Sequence, residues 1–339
     1  MTRSLTDLLP RPVVVAPMAG GPSTPGIVIA AARAGALGFL AAGYKTAEAM
    51  TAEIAAVRAA TGEPFGVNVF VPGTPANDPA ELRRYLDSLS ADGTAGDASW
   101  DDDHFDAKLA ALLAGPPPVV SFTFGCPPRE VVTALQHGGA TVIITVTSPD
   151  EALAAAAAGA DAVCSQGFEA GAHRGTFVND DAPGRDLGLL SLIGQVSGVT
   201  SLPQIAAGGI VGPRQVSAVL AAGAVAAQCG TAFLRCPESG AHPLHKAALA
   251  DPRYAATTLT RAFSGRPARG LVNQFIRDHP DAPSAYPEIN NATRPLRAAA
   301  AARGDQEGMS LYAGQGYRSA IEQPAGEIIE RLSAIQSGP

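Results

Sequence analysis

The chain has 339 residues, 46% of them hydrophobic and 16% charged, with a formal net charge of −7 and a pI near 5.4. That balance builds a large buried core and excludes a disordered chain, and the length suits one barrel domain with an insertion. No basic run carries interleaved aromatics, so nucleic acid is not an expected partner, and a net negative surface leaves anion recognition to local backbone N–H groups and single arginines.

The first residues, Met1 to Pro10, hold no long apolar core, and no later run is long enough to span a membrane. The expectation is a cytoplasmic protein that does not enter a membrane. Short apolar runs then alternate with Ala-rich segments. The runs are 13–18, 37–43, 65–70, 119–125, 141–147, 162–167, 203–210 and 224–234. Each is apolar on both faces, as buried parallel strands are. Helices are expected between them over 24–34, 47–61, 129–137, 149–158 and 213–222. Several open on Ser, Thr or Pro, and they end at Gly35, Gly62, Gly138, Gly159 and Gly223. Eight strand–helix units predict an α/β fold, a (β/α)8 TIM barrel, although a doubly wound open sheet uses the same units.

Two stretches fall outside the repeat. Residues 72–115 are rich in Pro, Asp and Gly, and Asp101, Asp102 and Asp103 read as a cap on a helix starting near His104 rather than as a cation site. Residues 238–317 follow the last strand and read as a mainly helical insertion covering one end of the barrel. The expected organisation is a barrel over 1–237, this lid lobe over 238–317, and a final segment, 318–339, whose helix (about 320–337) closes the barrel. The four cysteines, Cys126, Cys164, Cys229 and Cys236, form no CxxC pair and no cluster with ligand spacing. They read as reduced core thiols, with no metal site.

Chemistry gathers at the carboxyl ends of the runs, where barrels carry function. Run one ends at Met18, a soft residue suited to packing on a ring. Run three holds Asn68, and run six ends Gln166-Gly167-Phe168-Glu169-Ala170-Gly171-Ala172-His173-Arg174-Gly175. Asn68 and Gln166 offer amides that both donate and accept, as a planar heterocycle requires. Gly208-Gly209 ends run seven, and run eight carries Gln228-Cys229-Gly230-Thr231. These glycines let backbone approach a ligand and present N–H groups to a phosphate. His173 sits in a Gly-flanked loop beside Arg174, where no core needs an imidazole. It is the candidate proton acceptor or hydrogen-bond donor to a bound anion. Glu169 and Arg174 are alternatively an ion pair shaping that loop. His104, His137, His242, His245 and His279 lack companions and read as structural. Arg266 and Arg269 either fix the insertion or meet an anion, with ion-paired surface arginines as the plain alternative.

These residues together resemble the bacterial class I nitronate monooxygenases, formerly called 2-nitropropane dioxygenases. The resemblance runs through Pro17-Met18-Ala19-Gly20-Gly21, Gly66-Val67-Asn68-Val69-Phe70, Gln166 to Gly175, Ala206 to Ile210 and Gly230-Thr231-Ala232-Phe233-Leu234. It continues through Ala262 to Gly270 with Asn273, and through Leu311-Tyr312-Ala313-Gly314-Gln315, so it covers essentially the whole chain. It implies a barrel holding FMN without a covalent link, touched by Met18, Asn68, Gln166, Gly171, Gly208 and the stretch Gln228, Cys229, Gly230, Thr231. Gly209 joins this set from the anion-nest reading above. The resemblance makes His173 the active-site histidine. It implies oxidation of an anionic alkyl nitronate by O2 to a carbonyl compound and nitrite, in a monomer or homodimer, with neutral nitroalkanes an open second substrate. Two positions depart from the family: Ala172 where a second Gly is usual, and Tyr312 where Trp is more common. The alternatives are an FMN- and NAD(P)H-dependent enoyl reductase of the same superfamily, against which the 264–273 and 311–315 motifs argue, and a non-catalytic flavin- or phosphate-binding barrel.

Overall fold

The computed structural model describes residues 5–180 and 186–334. Six parallel strands come first: β1 (Val13–Val15), β2 (Leu37–Ala41), β3 (Gly66–Phe70), β4 (Val119–Thr123), β5 (Thr141–Val146) and β6 (Ala162–Gln166). A two-residue strand, β7 (Ala172–His173), leaves for another sheet. β8 (Gln204–Ala207) and β9 (Ala226–Cys229) then complete a closed barrel. Closure is explicit in the pairing of Val14 in β1 with Gln228 in β9, which decides for the barrel against an open sheet.

The connections carry α1 (Pro25–Arg33), α2 (Ala47–Ala60), α3 (Pro79–Ser88), α4 (Phe105–Ala114), α5 (Arg129–His137), α6 (Pro149–Ala158), α7 (Leu189–Ser197) and α8 (Pro213–Ala221). Their starts follow capping chemistry. Thr24 accepts from Ile27 N ahead of Pro25, and Ser148 caps α6 ahead of Pro149. Gly159 ends α6 at φ 89°, a left-handed turn that a side chain would strain.

Alternation along the strands sorts the core into two parts. Val13, Val15, Leu40, Val67, Val120 and Phe122 pack outward with the helices. Val14, Phe39, Val119, Ile143, Cys164 and Ile205 pack together inside the barrel, and Leu5 and Leu8 join them. The Phe39 ring fills this layer so completely that a Cβ on Gly66 would stand 2.2 Å from it. Two residues further along, the inward positions turn polar: Asn68 pairs in register with Ser121, and Gln228 with Ala207. The polar ring that roofs this apolar plug is the floor of the site.

After β9 come α9 (Pro243–Ala248), β10 (Thr257–Thr260), β11 (Ala268–Leu271), α10 (Gln274–Asp278) and α11 (Glu288–Ala302). β10, β11 and β7 form an antiparallel sheet in which His173 pairs with Ala268 and Ala172 with Arg269. The segment read from sequence as mainly helical therefore also holds strands that reach back to the His173 loop. It rests on α3: Tyr85 and Leu89 pack with Phe263, Phe275, Ile289 and Leu296, and the Tyr85 hydroxyl donates to Ala262 O at 2.6 Å. The last helix, α12 (Ala325–Ser333), buries Ile328, Ile329 and Leu332 against α1 and α8. Residues 335–337 of the expected closing helix lie outside the described residues. No helix among the described residues is long and apolar enough to cross a membrane.

Candidate active site

A cavity of 540 Å³ opens above the polar ring, within the size range of small-molecule sites. Of the residues singled out from sequence, Met18, Asn68, Gln166, Gly171, His173, Gly208, Gln228, Gly230 and Thr231 line it. Gly209 and Cys229 do not. Cys229 is 1% exposed in the core, and a Cβ on Gly209 would meet Glu169 Cβ at 3.0 Å. The segment after β9 lines the opposite side with His245, Asn290, Arg294, Arg297 and Tyr312.

The amides are differently committed. Asn68 Nδ2 donates to Ser121 Oγ at 2.9 Å and Thr123 Oγ1 at 3.0 Å, so Oδ1 is the atom left for a ligand. Gln166 serves the loop above it: Nε2 donates to His173 O at 3.1 Å, while Oε1 accepts from Gly175 N at 2.8 Å and Arg174 Nη1 at 3.1 Å. Arg174 also donates to Gly167 O at 2.7 Å. Glu169 accepts from Leu189 N at 3.0 Å, at the start of α7.

At the β8 and β9 ends, Gly208 has φ 129° and Thr231 Oγ1 accepts from Gly314 N at 2.9 Å. Gly171 faces the same strand ends. A Cβ there would lie 2.4 Å from Gly314 N and 2.6 Å from Ala313 C, so only glycine fits. Gly171, Gly208 and Gly230 all line the cavity, so main chain that could approach an anion borders it at these strand ends.

His173 stands over this floor between three rings, with centroids 5.9 Å from Phe124, 5.5 Å from Tyr286 and 5.6 Å from Tyr312. Burial, reinforced by the charges of Arg266 and Arg297, pushes its pKa down to about 3, so the ring is neutral. Nε2 lies 2.8 Å from Ser264 Oγ. Arg266 and Arg269, each 3% exposed, fix the loop. Arg266 lies 4.0 Å over the Phe124 ring and donates to Arg174 O and Thr176 O, while Arg269 donates to Phe168 O at 3.0 Å. Ala172, at φ 60°, occupies a left-handed position that favours glycine, which accounts for the family's usual residue there. Among the described residues, the other positive-φ residues that are not glycine are Tyr44, Phe124, Asp103 and His104. They too line this cavity or the 710 Å³ one beside it.

The Asp triplet builds that neighbouring wall. Asp101 and Asp102 accept from the backbone of Asp103 and His104. Asp103 accepts from Tyr44 N at 2.8 Å and pairs with the buried Lys108 at 2.7 Å. Tyr44 lines both cavities and Tyr286 the neighbouring one, with their hydroxyls 3.2 Å apart. Sequence reasoning missed Tyr44, Tyr286, Ser264, Arg294 and Arg297, and set aside His245, which lines the main cavity and meets Tyr312 O at 2.9 Å. Only the 262–270 motif pointed near Ser264. The rest sit on loops and a helix whose placement local pattern does not reveal.

Neutral histidine, amide floor and glycine cradle at the carboxyl end of a barrel belong to the flavin-dependent barrel oxidoreductases. The sequence model described as nitronate monooxygenase matches residues 2–334, and the chain belongs to the nitronate monooxygenase family. Its relatives include a nitronate monooxygenase of Pseudomonas aeruginosa, 42% identical over 98% of this chain and 98% of the relative. A probable nitronate monooxygenase of Bacillus subtilis is 37% identical over 93% of this chain and 92% of the relative. Among solved structures, a nitroalkane oxidase from Streptomyces ansochromogenes superposes with a TM-score of 0.94 at 53% identity, covering 98% of this chain and 97% of that one. FabK from Thermotoga maritima superposes at 0.74 with 28% identity, over 98% and 95%.

Proposed function

We propose that the enzyme binds FMN in the 540 Å³ cavity and oxidises alkyl nitronates, and neutral nitroalkanes as well, to a carbonyl compound and nitrite with O2. The glycine backbone at the strand ends supports the mononucleotide: N–H groups of Gly208, Gly230 and Thr231, with Gly171 opposite, would hold its phosphate, while Gly209 packs against Glu169 outside the cavity lining. Met18 would pack on the ring, and Asn68, Gln166 and Gln228 would line its edge. Bound flavin supplies the electron acceptor and the site of reaction with oxygen. FAD is disfavoured because no Rossmann-type fingerprint is present for an adenosine half. The enoyl reductase alternative is not favoured, since the family match takes in both 264–273 and 311–315.

The protein's own tasks are positioning, charge and proton transfer. A nitronate is already a carbanion equivalent and needs no base. Its charge is met by Arg294 and Arg297 in the cavity wall. A neutral nitroalkane must first lose its α-proton, and His173, in the cavity wall, is the group placed to take it. The observation that carries this reading is the His173 imidazole standing among three rings in the wall of the cavity, above the amides of Asn68 and Gln166. Residues 238–317 act as a roof that keeps bulk water from the reacting groups, through Tyr312, Arg297 and His245. We place the enzyme in the cytoplasm, as a monomer or homodimer.

The decisive variant is His173→Asn. Nitroalkane turnover should fall by about 10² to 10⁴, the usual worth of a positioned base, while nitronate turnover falls far less and the bound-flavin absorbance stays. Unchanged rates on both substrates would remove His173 from the chemistry. Protein that stays colourless after FMN is added would remove the cofactor assignment.

A further inference from the structure

We infer that Ser264 is a positioning residue that locks His173 in its Nε2–H tautomer and so makes Nδ1 the proton-accepting atom. The inference rests on His173 acting as the base. Ser264 is 1% exposed, in the stretch between β10 and β11. Its Oγ lies 2.8 Å from His173 Nε2 and 3.1 Å from Arg266 O.

A carbonyl has no proton to give, so the single hydroxyl proton of Ser264 goes to Arg266 O. What remains on Oγ is lone pairs, and the close contact with His173 is then a hydrogen bond only if Nε2 donates. The opposite tautomer would draw the serine proton to Nε2 and leave Arg266 O without it, in a residue 3% exposed, where an unmet carbonyl is costly. Arg266 N, 3.4 Å from the same Oγ, adds a second donor on the accepting side.

The neighbours agree with this direction. Tyr312 also reaches Ser264, but burial keeps its phenol protonated, so it has a proton of its own to offer. The other groups facing the imidazole are Tyr286, likewise protonated, and the cations Arg266 and Arg297, none of which accepts a proton. The Arg266 backbone is itself anchored, because its side chain bonds Arg174 O and Thr176 O. After the proton transfer the imidazolium donates through Nε2 to the same serine oxygen, and that bond strengthens with the charge.

The holoenzyme labelled with [15N]histidine reads the tautomer directly, with the His173 signals identified by their absence in His173→Asn. The wild type is expected to show a pyrrole-like Nε2 and a pyridine-like Nδ1. Ser264→Ala should lose that pattern, and Ser264→Thr, which keeps the hydroxyl, should recover it. In turnover, Ser264→Ala should lower kcat for neutral nitroalkanes about tenfold to a hundredfold, with nitronate turnover and flavin content close to wild type. A wild-type spectrum with a pyrrole-like Nδ1 overturns the inference, whatever the variants do. So does a Ser264→Ala enzyme with the wild-type 15N pattern. If His173→Asn keeps nitroalkane turnover, the base assignment fails separately, while the spectrum still judges the tautomer.

Discussion

Acid should destabilise this protein through His245, by an amount the structure sets. His245 is 9% exposed, and burial pushes its pKa down from 6.5 to about 4, against the partial support of Tyr312 O. The unfolded chain takes a proton near pH 6.5 that the folded chain refuses until about pH 4. Stability is therefore lost as pH falls through that window, at about 1.4 kcal/mol per pH unit, and levels off below it. At pH 5 the loss from this one group is about 2 kcal/mol relative to neutral pH. His245→Gln keeps an N–H for Tyr312 O and removes the titration. Urea unfolding followed by circular dichroism at pH 7.5 and pH 5.0, on wild type and variant, gives the difference. Other acid effects are common to both proteins and cancel. Wild type should lose about 2 kcal/mol more than the variant. An identical acid loss in the two would show that folded His245 takes up its proton normally, and the burial argument would fall. His173 shares the sign, and its contribution is common to wild type and variant and cancels.

Three further outcomes follow from the packing. Gly171→Ala places a methyl within 2.6 Å of the backbone of Ala313 and Gly314, so the variant should bind flavin poorly, as absorbance after dialysis will show; normal flavin content would mean the cradle is looser than drawn. Lys108→Met and Asp103→Asn each break a buried ion pair and should cost about 3 to 5 kcal/mol in denaturant, whereas the double variant should recover much of that loss; a double variant as unstable as the sum of the singles would refute the pairing. Ala172→Gly relieves a φ of 60° and should leave stability unchanged or raise it by up to about 1 kcal/mol; a clear drop in Tm would show the loop is not strained.

The barrel was legible because its signal is redundant. Eight runs such as 141–147, apolar on both faces, with caps and glycine stops between them, point one way even where single boundaries slip. The floor was legible for a related reason: Asn68, Gln166 and Gln228 are polar residues on inward strand positions, where no apolar core needs them. The walls were not. β7 is two residues long and gains its identity only by pairing with β11, about a hundred residues later. Arg266 stayed open between fixing the insertion, meeting an anion and a surface ion pair, and only its burial on Phe124 decides for the first. Tyr44 and Tyr286 meet across 242 positions. His245 seemed to have no companion because its partner is a backbone carbonyl in another segment. Such contacts are tertiary, and no local period encodes them.

The pairing of β7 with β11 has a consequence for how the enzyme can be rebuilt. The backbone of His173 belongs to a sheet whose other strands come from the 238–317 stretch. Swinging that stretch aside would carry the histidine with it, so the roof and the His173 loop move as one body. The same strand pairing forbids treating the stretch as an exchangeable cassette. A chimera that took it from a distant homologue would inherit a foreign mould for its own His173 loop, and the two halves of the gene can drift only as far as those shared hydrogen bonds allow.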